Sequence, residues 1–495
     1  MPELTGKKKI AILGGGVGSM STAFEITNKP GWSDEYDITI YQMGWRLGGK
    51  GASGRDRAFK DRICEHGLHI WEGFYENAFR LINAAYAEWV DKNYQPQPLF
   101  KSGPEAFEVC NIGPIMDPSS GGWQIQRLEF QTTDGKPGVG EPSEALDFWD
   151  LVLRANILLV SAYLGSPWQR GLRGWLLRMA GKLVIAFAHW VERYPWLAAL
   201  VEWLLDRVSG GLLLILALAL AHGAQGHPAR EEKLASHHAR FLKWFRTHPA
   251  KDSHPDEFHI ILTAADTLFA MIRGVIEDRI TLENYADFDE TDFMEWLTNH
   301  GCAEPWNVFT RLIYDGTFSY RQGRNEYQPN LPGPQRIGLN LAAGSGLYGV
   351  LRAVGTYKQG FFFKMRAGMG DTIFSPLYVV LKNRGVKFKF FHKVLNLGLS
   401  ADRSRIETIA MEVQAKVKPE REEAGYDPIY TVKGVPSWPS EPFWDQLQDA
   451  GKLQKLPNLE TYWNGGIHGE VRTFRQGEDF DSVVLGIAVG ALPYI

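Results

Sequence analysis

The sequence predicts an α/β fold in which a parallel-sheet domain is interrupted by a mainly helical domain. Three observations carry this prediction. Near the amino terminus, a short apolar run is followed by a glycine turn, a helical segment and a second apolar run. The middle of the chain has apolar residues at helical spacing, and strand-like runs return after residue 385. With 495 residues, the chain is long enough for two or three domains.

The stretch from Lys9 to Ser53 predicts the topology of the first domain. Its glycine turn reads Gly14-Gly15-Gly16-Val17-Gly18-Ser19, between a strand over 10–13 and a helix over 20–27, with a second strand over 36–41. Gly14 would allow a tight turn, and Gly16 would let the backbone approach a pyrophosphate at the helix amides. Ser19 replaces the third glycine of G-x-G-x-x-G, and Gln42 stands where an acidic residue usually holds a ribose hydroxyl. This order indicates a nucleotide-binding βαβ unit.

Further motifs follow in order. They are Arg46-Leu47-Gly48-Gly49-Lys50-Gly51-Ala52-Ser53, then Glu65-His66-Gly67-Leu68-His69-Ile70-Trp71-Glu72-Gly73-Phe74-Tyr75-Glu76-Asn77, and later Lys364-Met365-Arg366-Ala367-Gly368-Met369-Gly370-Asp371. With the glycine turn, they resemble segments of the FAD-dependent phytoene and ζ-carotene desaturases, within the amine oxidase superfamily. The similarity lacks the family's carboxy-terminal glycine–aspartate segment, which holds the ribityl chain. A fragment, a second chain that supplies this part, or a loss of full flavin binding are the alternatives.

The resemblance implies FAD as the cofactor and a Rossmann-like FAD-binding domain of the glutathione-reductase type, with a mainly helical substrate or cap domain. The cofactor-binding positions that it implies are Gly14, Gly15, Gly16, Val17, Gly18, Ser19, Gln42, Arg46, Gly48, Gly49, Lys50, Ser53, Gly67, Leu68, His69 and Val394. His66, His69 and Arg366 fall in segments that the family places near the flavin. They are candidates for polarising or orienting a substrate, and no general acid or base is assigned.

These motifs and the composition between them predict how the chain is divided. The expected segments are a first FAD-binding segment over 1–95, a substrate or cap domain over 96–340, a second FAD-binding segment over 341–417, a surface insertion over 418–470, and a strand over 471–495 that returns to the FAD-binding domain.

Residues 146–224 combine apolar runs, basic residues and tryptophans. Each apolar run is shorter than the roughly 20 residues that a membrane-spanning helix needs. Basic, tryptophan-rich helices are typical of proteins that lie on a bilayer surface, and we expect peripheral membrane contact here. The alternative is a helical domain whose tryptophans belong to an ordinary core.

Composition and charge narrow the partners. The net charge of −4 gives no bias toward nucleic acid. Cys64, Cys110 and Cys302 are odd in number and widely spaced, which indicates a reducing compartment, and we expect a cytoplasmic protein. The histidines between residues 222 and 260 lack the spacing of a metal site, so we expect no metal.

The resemblance implies hydride transfer from a substrate carbon to flavin, with desaturation of a lipophilic isoprenoid or polyene as the most specific form. Two alternatives stay open. One is an FAD-dependent enzyme similar to the amine oxidases, and the other is a non-catalytic or incomplete subunit of a two-chain flavoprotein.

Overall fold

A computed structural model describes residues 6–117, 124–130, 132–140, 255–317, 319–320, 338–456, 458–463 and 466–495, together with single helical positions at 236, 240, 243 and 247. These residues form two compact units. Unit 1 contains the described residues up to Trp71, then Tyr75–Val109 and Phe363–Ile495. Unit 2 contains Glu72–Phe74 and the described residues within Cys110–Phe362. The helices predicted near 146–224 lie outside the described residues.

Unit 1 is built on a four-stranded parallel sheet. Strand β1 (Lys8–Leu13) pairs with β2 (Tyr36–Tyr41) along its whole length. Lys387–Lys389 pairs with the outer side of β2, and Ser482–Leu485 pairs with the outer side of β1. β1 is central, and its residues from Ile10 to Leu13 are buried, as expected for a parallel strand covered on both faces. The predicted strand–turn–helix–strand order and the return of a carboxy-terminal strand are therefore present.

Three helices pack together in unit 1. They are α1 (Val17–Thr27), Glu76–Asp91 and Ser375–Arg384. Arg384 joins them, because its guanidinium donates to the Phe24 carbonyl and the Thr27 hydroxyl of α1 and pairs with Glu88. A cation at the carboxyl end of α1 also complements the partial negative charge there.

The segment over 418–470 is not a surface insertion, and that prediction was wrong. Trp438 and Leu447 are fully buried, and Leu459 and Tyr426 are nearly so. These side chains belong to the same apolar core as β1 and α1. The segment forms the hairpin Tyr430–Val432 with Val435–Ser437 and a short helix, Ala450–Leu453. Its many prolines and glycines predict an irregular path, but irregular backbone is compatible with burial when its polar groups are paired.

The remaining strands of unit 1 are short or antiparallel. His392–Leu399, Ile406–Val413 and Glu470–Arg475 form an antiparallel sheet in that order. Ser53–Asp56 pairs with Arg62–Glu65 in a hairpin. Trp71–Glu72, Phe362–Met365 and Phe107–Cys110 form three short strands where the chain leaves and re-enters the unit.

The described part of unit 2 contains the helices Pro255–Glu277, Phe293–Asn299, Val308–Gly316 and Ala343–Thr356, and the hairpin Ile112–Asp117 with Gln124–Glu129. Apolar spacing in the sequence predicts helices over 258–280, 292–299, 308–314 and 347–354, which agree with these bounds to within a few residues. The structure places Ala343–Thr356 in unit 2, because unit 1 resumes at Phe363 and not at the expected residue 341. Asp292 fixes this unit locally by accepting from the backbone of Met294 and Leu341 and from Tyr314. Within the described residues, no helix is both long and apolar enough to cross a membrane.

Candidate functional site

The glycine turn after β1 has the geometry that its sequence predicts. Gly14 has φ +92, a conformation that favours glycine, and its N–H donates to the Tyr41 carbonyl at 2.8 Å. A Cβ on Gly15 would lie 2.4 Å from a methyl carbon of Leu47. The turn is therefore held against the end of β2 and cannot accept larger side chains at these positions.

The second glycine motif lies directly beside the first. The Gly48 N–H donates to the Gly15 carbonyl at 2.8 Å, and Gly16 and Gly48 form a parallel bridge. Gly48 has φ +124, and a Cβ there would lie 2.6 Å from the Ala52 Cα. A Cβ on Gly49 would approach the Gly16 Cα to 3.4 Å. The structure thus brings together two motifs that the sequence separates by thirty residues or more.

The amino end of α1 opens onto an exposed surface of this paired loop. Gly16 is the N-cap, no side chain caps the helix, and its first turn has no acidic residue. Val17 and Gly18 are exposed, and a Cβ added to Gly18 would meet no atom within 4 Å. Exposed amides at the positive end of a helix dipole bind anions, and the arrangement fits a phosphate group. The exposed Lys50 follows Gly49 in the adjoining loop.

Two small hydroxyl residues of the motifs have internal roles. Ser19 is fully buried, and a Cβ on Gly486 would lie 1.7 Å from its hydroxyl oxygen, so the helix packs closely on the end of the Ser482–Leu485 strand. Ser53 is buried and accepts from the Gly370 N–H at 2.6 Å. Ser19 therefore serves helix–strand packing, as expected, and Ser53 joins its loop to the Gly368–Asp371 segment.

Gln42 is turned toward the glycine loop. Its side-chain oxygen accepts from the Gly15 N–H at 2.6 Å, and its side-chain nitrogen donates to the Met43 carbonyl. The backbone carbonyl of Gln42 accepts from His392. An acidic side chain could accept from Gly15 but could not donate to Met43, which gives a local reason for an amide at this position.

Arg46 is engaged by Glu460, a residue that no motif predicted. The guanidinium Nε lies 2.7 and 2.9 Å from the two carboxylate oxygens, and Nη2 lies 2.7 Å from Oε2. Arg46 is only 8% exposed. Burial raises the pKa of Glu460 above its ordinary value, and the Arg46 guanidinium opposes that shift. The pair is a buried, bidentate salt bridge between the second glycine motif and the 458–463 segment.

The Glu65–His69 loop is hydrogen-bonded to two other segments, at Lys50 and at Met369. His69 places Nδ1 2.6 Å from Glu65 Oε2 and Nε2 3.2 Å from the Lys50 carbonyl. The other oxygen of Glu65 accepts from the Met369 N–H at 3.0 Å. Both ring nitrogens of His69 therefore face oxygen atoms of the protein. We define the His69–Glu65 latch as these two residues with the Lys50 carbonyl and the Met369 N–H.

The tip of this loop projects outward. Gly67 is exposed, and Leu68 is 86% exposed. Nδ1 of His66 lies 2.9 Å from the Ala52 carbonyl oxygen, which accepts its hydrogen bond. An apolar side chain this exposed beside the paired glycine loop is available to contact a ligand.

A second buried ion pair joins Arg55 to Asp371 of the Lys364–Asp371 motif. Arg55 donates to Asp371 through Nε and Nη2 at 3.0 and 2.7 Å, and Asp371 is 4% exposed. Burial raises the pKa of Asp371, and Arg55 opposes the shift. Asp371 ends the Lys364–Asp371 motif, so the sequence marks its position, but nothing local identifies Arg55 as its partner.

Arg366 and Val394 differ in exposure. Arg366 is exposed, and its backbone N–H donates to the Ala106 carbonyl. The side chain of Val394 is buried in a small apolar cluster with Ala11, Leu13 and Met411. Among the described residues, no group of three or more histidine, cysteine or acidic side chains could hold a metal ion.

Residues 12–85 match the family model described as an NAD(P)-binding Rossmann-like domain. An 82-residue stretch is 38% identical to the ζ-carotene desaturases of Solanum lycopersicum and Arabidopsis thaliana and 37% identical to that of Capsicum annuum. This stretch is 17% of the chain and 13% of each relative.

Among solved structures, an oxidoreductase from Methanosarcina mazei aligns over 82% of this chain and 56% of its own, with 9% identity and a TM-score of 0.29. That score is too low to support an argument about fold or function. The matched residues 12–85 include the end of β1 and the whole of α1 and β2, together with both glycine motifs. This part of the chain has the parallel strand–helix–strand arrangement of a Rossmann-like domain.

Proposed function

We propose that the chain is an FAD-dependent oxidoreductase that dehydrogenates a lipophilic isoprenoid or polyene substrate. The observation that carries the proposal is the pairing of the two glycine motifs, with Gly48 bonded to Gly15, at the uncapped end of α1. The similarity to ζ-carotene desaturases over 82 residues supports FAD and a carotene-like substrate. A dinucleotide is common to every form of the proposal.

The residues present fit such a cofactor. The backbone amides at Gly16–Ser19 would hold the pyrophosphate, and Lys50 would add positive charge beside it. When bound, FAD would supply a two-electron acceptor for hydride from a substrate carbon, while the neighbouring carbon loses a proton to a base that is not assigned. The exposed Leu68 would contact the ring system or the substrate.

His69 orients this site and does not abstract the proton. Both of its ring nitrogens already face acceptors, Glu65 and the Lys50 carbonyl, so His69 would have to give up one of these contacts to act as a base. His66 and Arg366 stay candidates for polarising the substrate.

Flavin binding by the purified protein tests the proposal. We expect a visible flavin absorbance band after FAD is added and free ligand is removed, and quenching of flavin fluorescence on titration. The variant Lys50→Met should weaken FAD binding about tenfold, because a phosphate loses a cation. Lys29→Met, an exposed lysine in the turn after α1, is the matched control and should bind as the parent does.

Other outcomes of the binding and activity measurements would support a different ligand or a different assembly. Binding of NADPH but not FAD would overturn the flavin proposal and leave the Rossmann-like domain intact. Flavin binding that requires a second polypeptide would support the two-chain alternative. Oxidation of a primary amine with release of the aldehyde, and no dehydrogenation of a polyene in detergent, would favour the alternative similar to the amine oxidases.

Membrane contact through residues 146–224 belongs to the same proposal, because a lipophilic substrate would reach the enzyme from a bilayer. Sedimentation with anionic liposomes tests it. We expect the protein in the pellet at low salt and partly in the supernatant at high salt, because salt screens the basic residues. Protein that stays in the supernatant at low salt would contradict membrane contact.

A further inference from the structure

We propose that Arg46 is a fixed counter-ion of Glu460 and not a ligand for the cofactor, so that Glu460 positions the second glycine motif. This inference rests on the proposed function only in taking a dinucleotide as the ligand. It reverses the role that the resemblance implies for Arg46. It also assigns the 458–463 segment to the scaffold of the binding site.

The guanidinium of Arg46 is engaged mainly by Glu460. Nε and Nη2 both donate to the Glu460 carboxylate, at 2.7 to 2.9 Å. The third nitrogen, Nη1, lies close to Gly54, where a Cβ would approach it to 2.3 Å. Two of the three guanidinium nitrogens are therefore bonded to one carboxylate, and Arg46 as a whole is only 8% exposed.

Glu460 is held in place by its surroundings as firmly as Arg46. Its N–H donates to the Asn458 side chain at 2.8 Å, and a Cβ on Gly44 would lie 2.6 Å from its Cγ. Gln414 bridges the same segment to Gly44, because its side chain accepts from the Gly44 N–H and donates to the Leu459 carbonyl. This bridge fixes the backbone at Gly44 and at Leu459, next to the two partners of the ion pair.

Separating the pair would be unfavourable for an electrostatic reason. Burial already raises the pKa of Glu460, and Arg46 is the main group that stabilises its charged form. A carboxylate left buried without its counter-ion costs more than one additional phosphate contact returns. Cofactor binding is therefore expected to leave the pair intact.

Lys50 has the opposite environment. It is exposed, it follows Gly49 in the loop that touches Gly16, and within the described part of the chain no ion pair engages its ammonium group. Its backbone carbonyl is held by His69. The cation available to a phosphate is thus Lys50, and Arg46 fixes the loop that carries it.

A double-mutant cycle tests the assignment. The variants are Arg46→Met, Glu460→Met, the double variant and Lys50→Met, each measured for thermal unfolding and for the Kd of FAD by flavin fluorescence. Each single change at the pair should lower the Tm and weaken FAD binding, because it leaves a buried charge unpaired and distorts the loop. The double variant should recover the Tm and bind FAD within about threefold of the parent. Lys50→Met should keep the parent Tm and lose about tenfold in affinity.

One outcome overturns the proposal directly: a double variant with a recovered Tm and an affinity as poor as that of Arg46→Met. Glu460→Gln keeps the test decisive if the double variant does not fold. It should lower the Tm and leave the Kd unchanged or weaker, whereas a tighter Kd would mean that Arg46, once released, binds the phosphate. Failure of the parent protein to bind FAD would instead contradict the proposed function, and recovery of the Tm in the double variant would still establish the pair.

Discussion

Two regions of unit 1 differ in how well their structure can be predicted from the sequence. The structure of the stretch from Lys9 to Ser53 depends on local sequence. Its turns need glycine at fixed positions, so the sequence alone predicts them. The segment over 418–470 looks polar and irregular, yet it delivers Trp438 to the core. Trp438 donates from its indole to the Gly370 carbonyl, and its own carbonyl accepts from Arg55. The comparison teaches that backbone requirements are local, whereas burial depends on partners far away along the chain.

Replacing Trp438 by alanine should have the largest effect on stability. The side chain is fully buried against Tyr378 and Phe390, and its loss would leave a cavity and remove the indole hydrogen bond to the Gly370 carbonyl. We expect the free energy of unfolding to fall by about 3 to 5 kcal/mol. Urea unfolding followed by far-ultraviolet circular dichroism would measure it.

The matched control lies in the same segment. Trp463 is 68% exposed and packs edge-on to Tyr494, so Trp463→Ala should cost about 1 kcal/mol or less. If Trp438→Ala also lowers the free energy of unfolding by only about 1 kcal/mol or less, the segment is a surface insertion, as its composition suggests.

Gly48→Ala should have the second-largest effect, and it tests the local region. Its φ of +124 is strained for alanine, and the new Cβ would collide with the backbone of Ala52. We expect a loss of about 2 to 3 kcal/mol in the free energy of unfolding and a loss of FAD binding. Gly18→Ala is the control, because a Cβ there meets no protein atom.

The control also reports on the ligand. Gly18→Ala should be neutral or stabilising by about 0.5 kcal/mol in the helix. If the cofactor phosphate lies against α1, the same variant should bind FAD more weakly. Unchanged binding by Gly18→Ala would place the phosphate elsewhere and break the link between the glycine motifs and the ligand.

Features that depend on local sequence could be predicted, and partners far apart along the chain could not. The parallel sheet, α1 and the four helices of unit 2 follow from apolar periodicity and from glycines whose conformation is fixed locally. Glu460 and Arg55 could not be found that way, because their partners Arg46 and Asp371 lie 414 and 316 residues away. Single charged residues in irregular segments carry no periodic signal. The protein partners of the Gln42 and Arg46 side chains could not be predicted either, because a motif fixes backbone geometry better than side-chain partners.

The His69–Glu65 latch should contribute a smaller amount. His69→Ala removes the contacts to Glu65 and to the Lys50 carbonyl, and we expect a loss of about 1 kcal/mol in the free energy of unfolding. FAD affinity should fall by about threefold to tenfold, because the loop that carries Lys50 is less fixed. Arg62→Ala, an exposed residue on the neighbouring strand, is the control. A full loss of turnover with unchanged FAD affinity would instead identify His69 as a catalytic residue.

The smallest expected effect on stability comes from protonation of His392, which contacts Tyr41 and Gln42 at the end of β2. Its backbone N–H donates to Gln42, and its ring packs on Tyr41. Burial lowers the pKa of His392, repulsion from Lys389 and Arg472 lowers it further, and the Phe390 carbonyl opposes the shift.

A lowered folded-state pKa fixes the sign of the pH dependence. Below the unfolded-state value of about 6.5, the unfolded chain binds a proton that the folded chain excludes, so stability falls as the pH falls. Between pH 7 and 5.5 the parent should lose about 0.5 kcal/mol more than His392→Gln does, measured by urea unfolding at both pH values. If the variant loses as much stability as the parent, protonation of His392 does not contribute to the loss of stability at low pH.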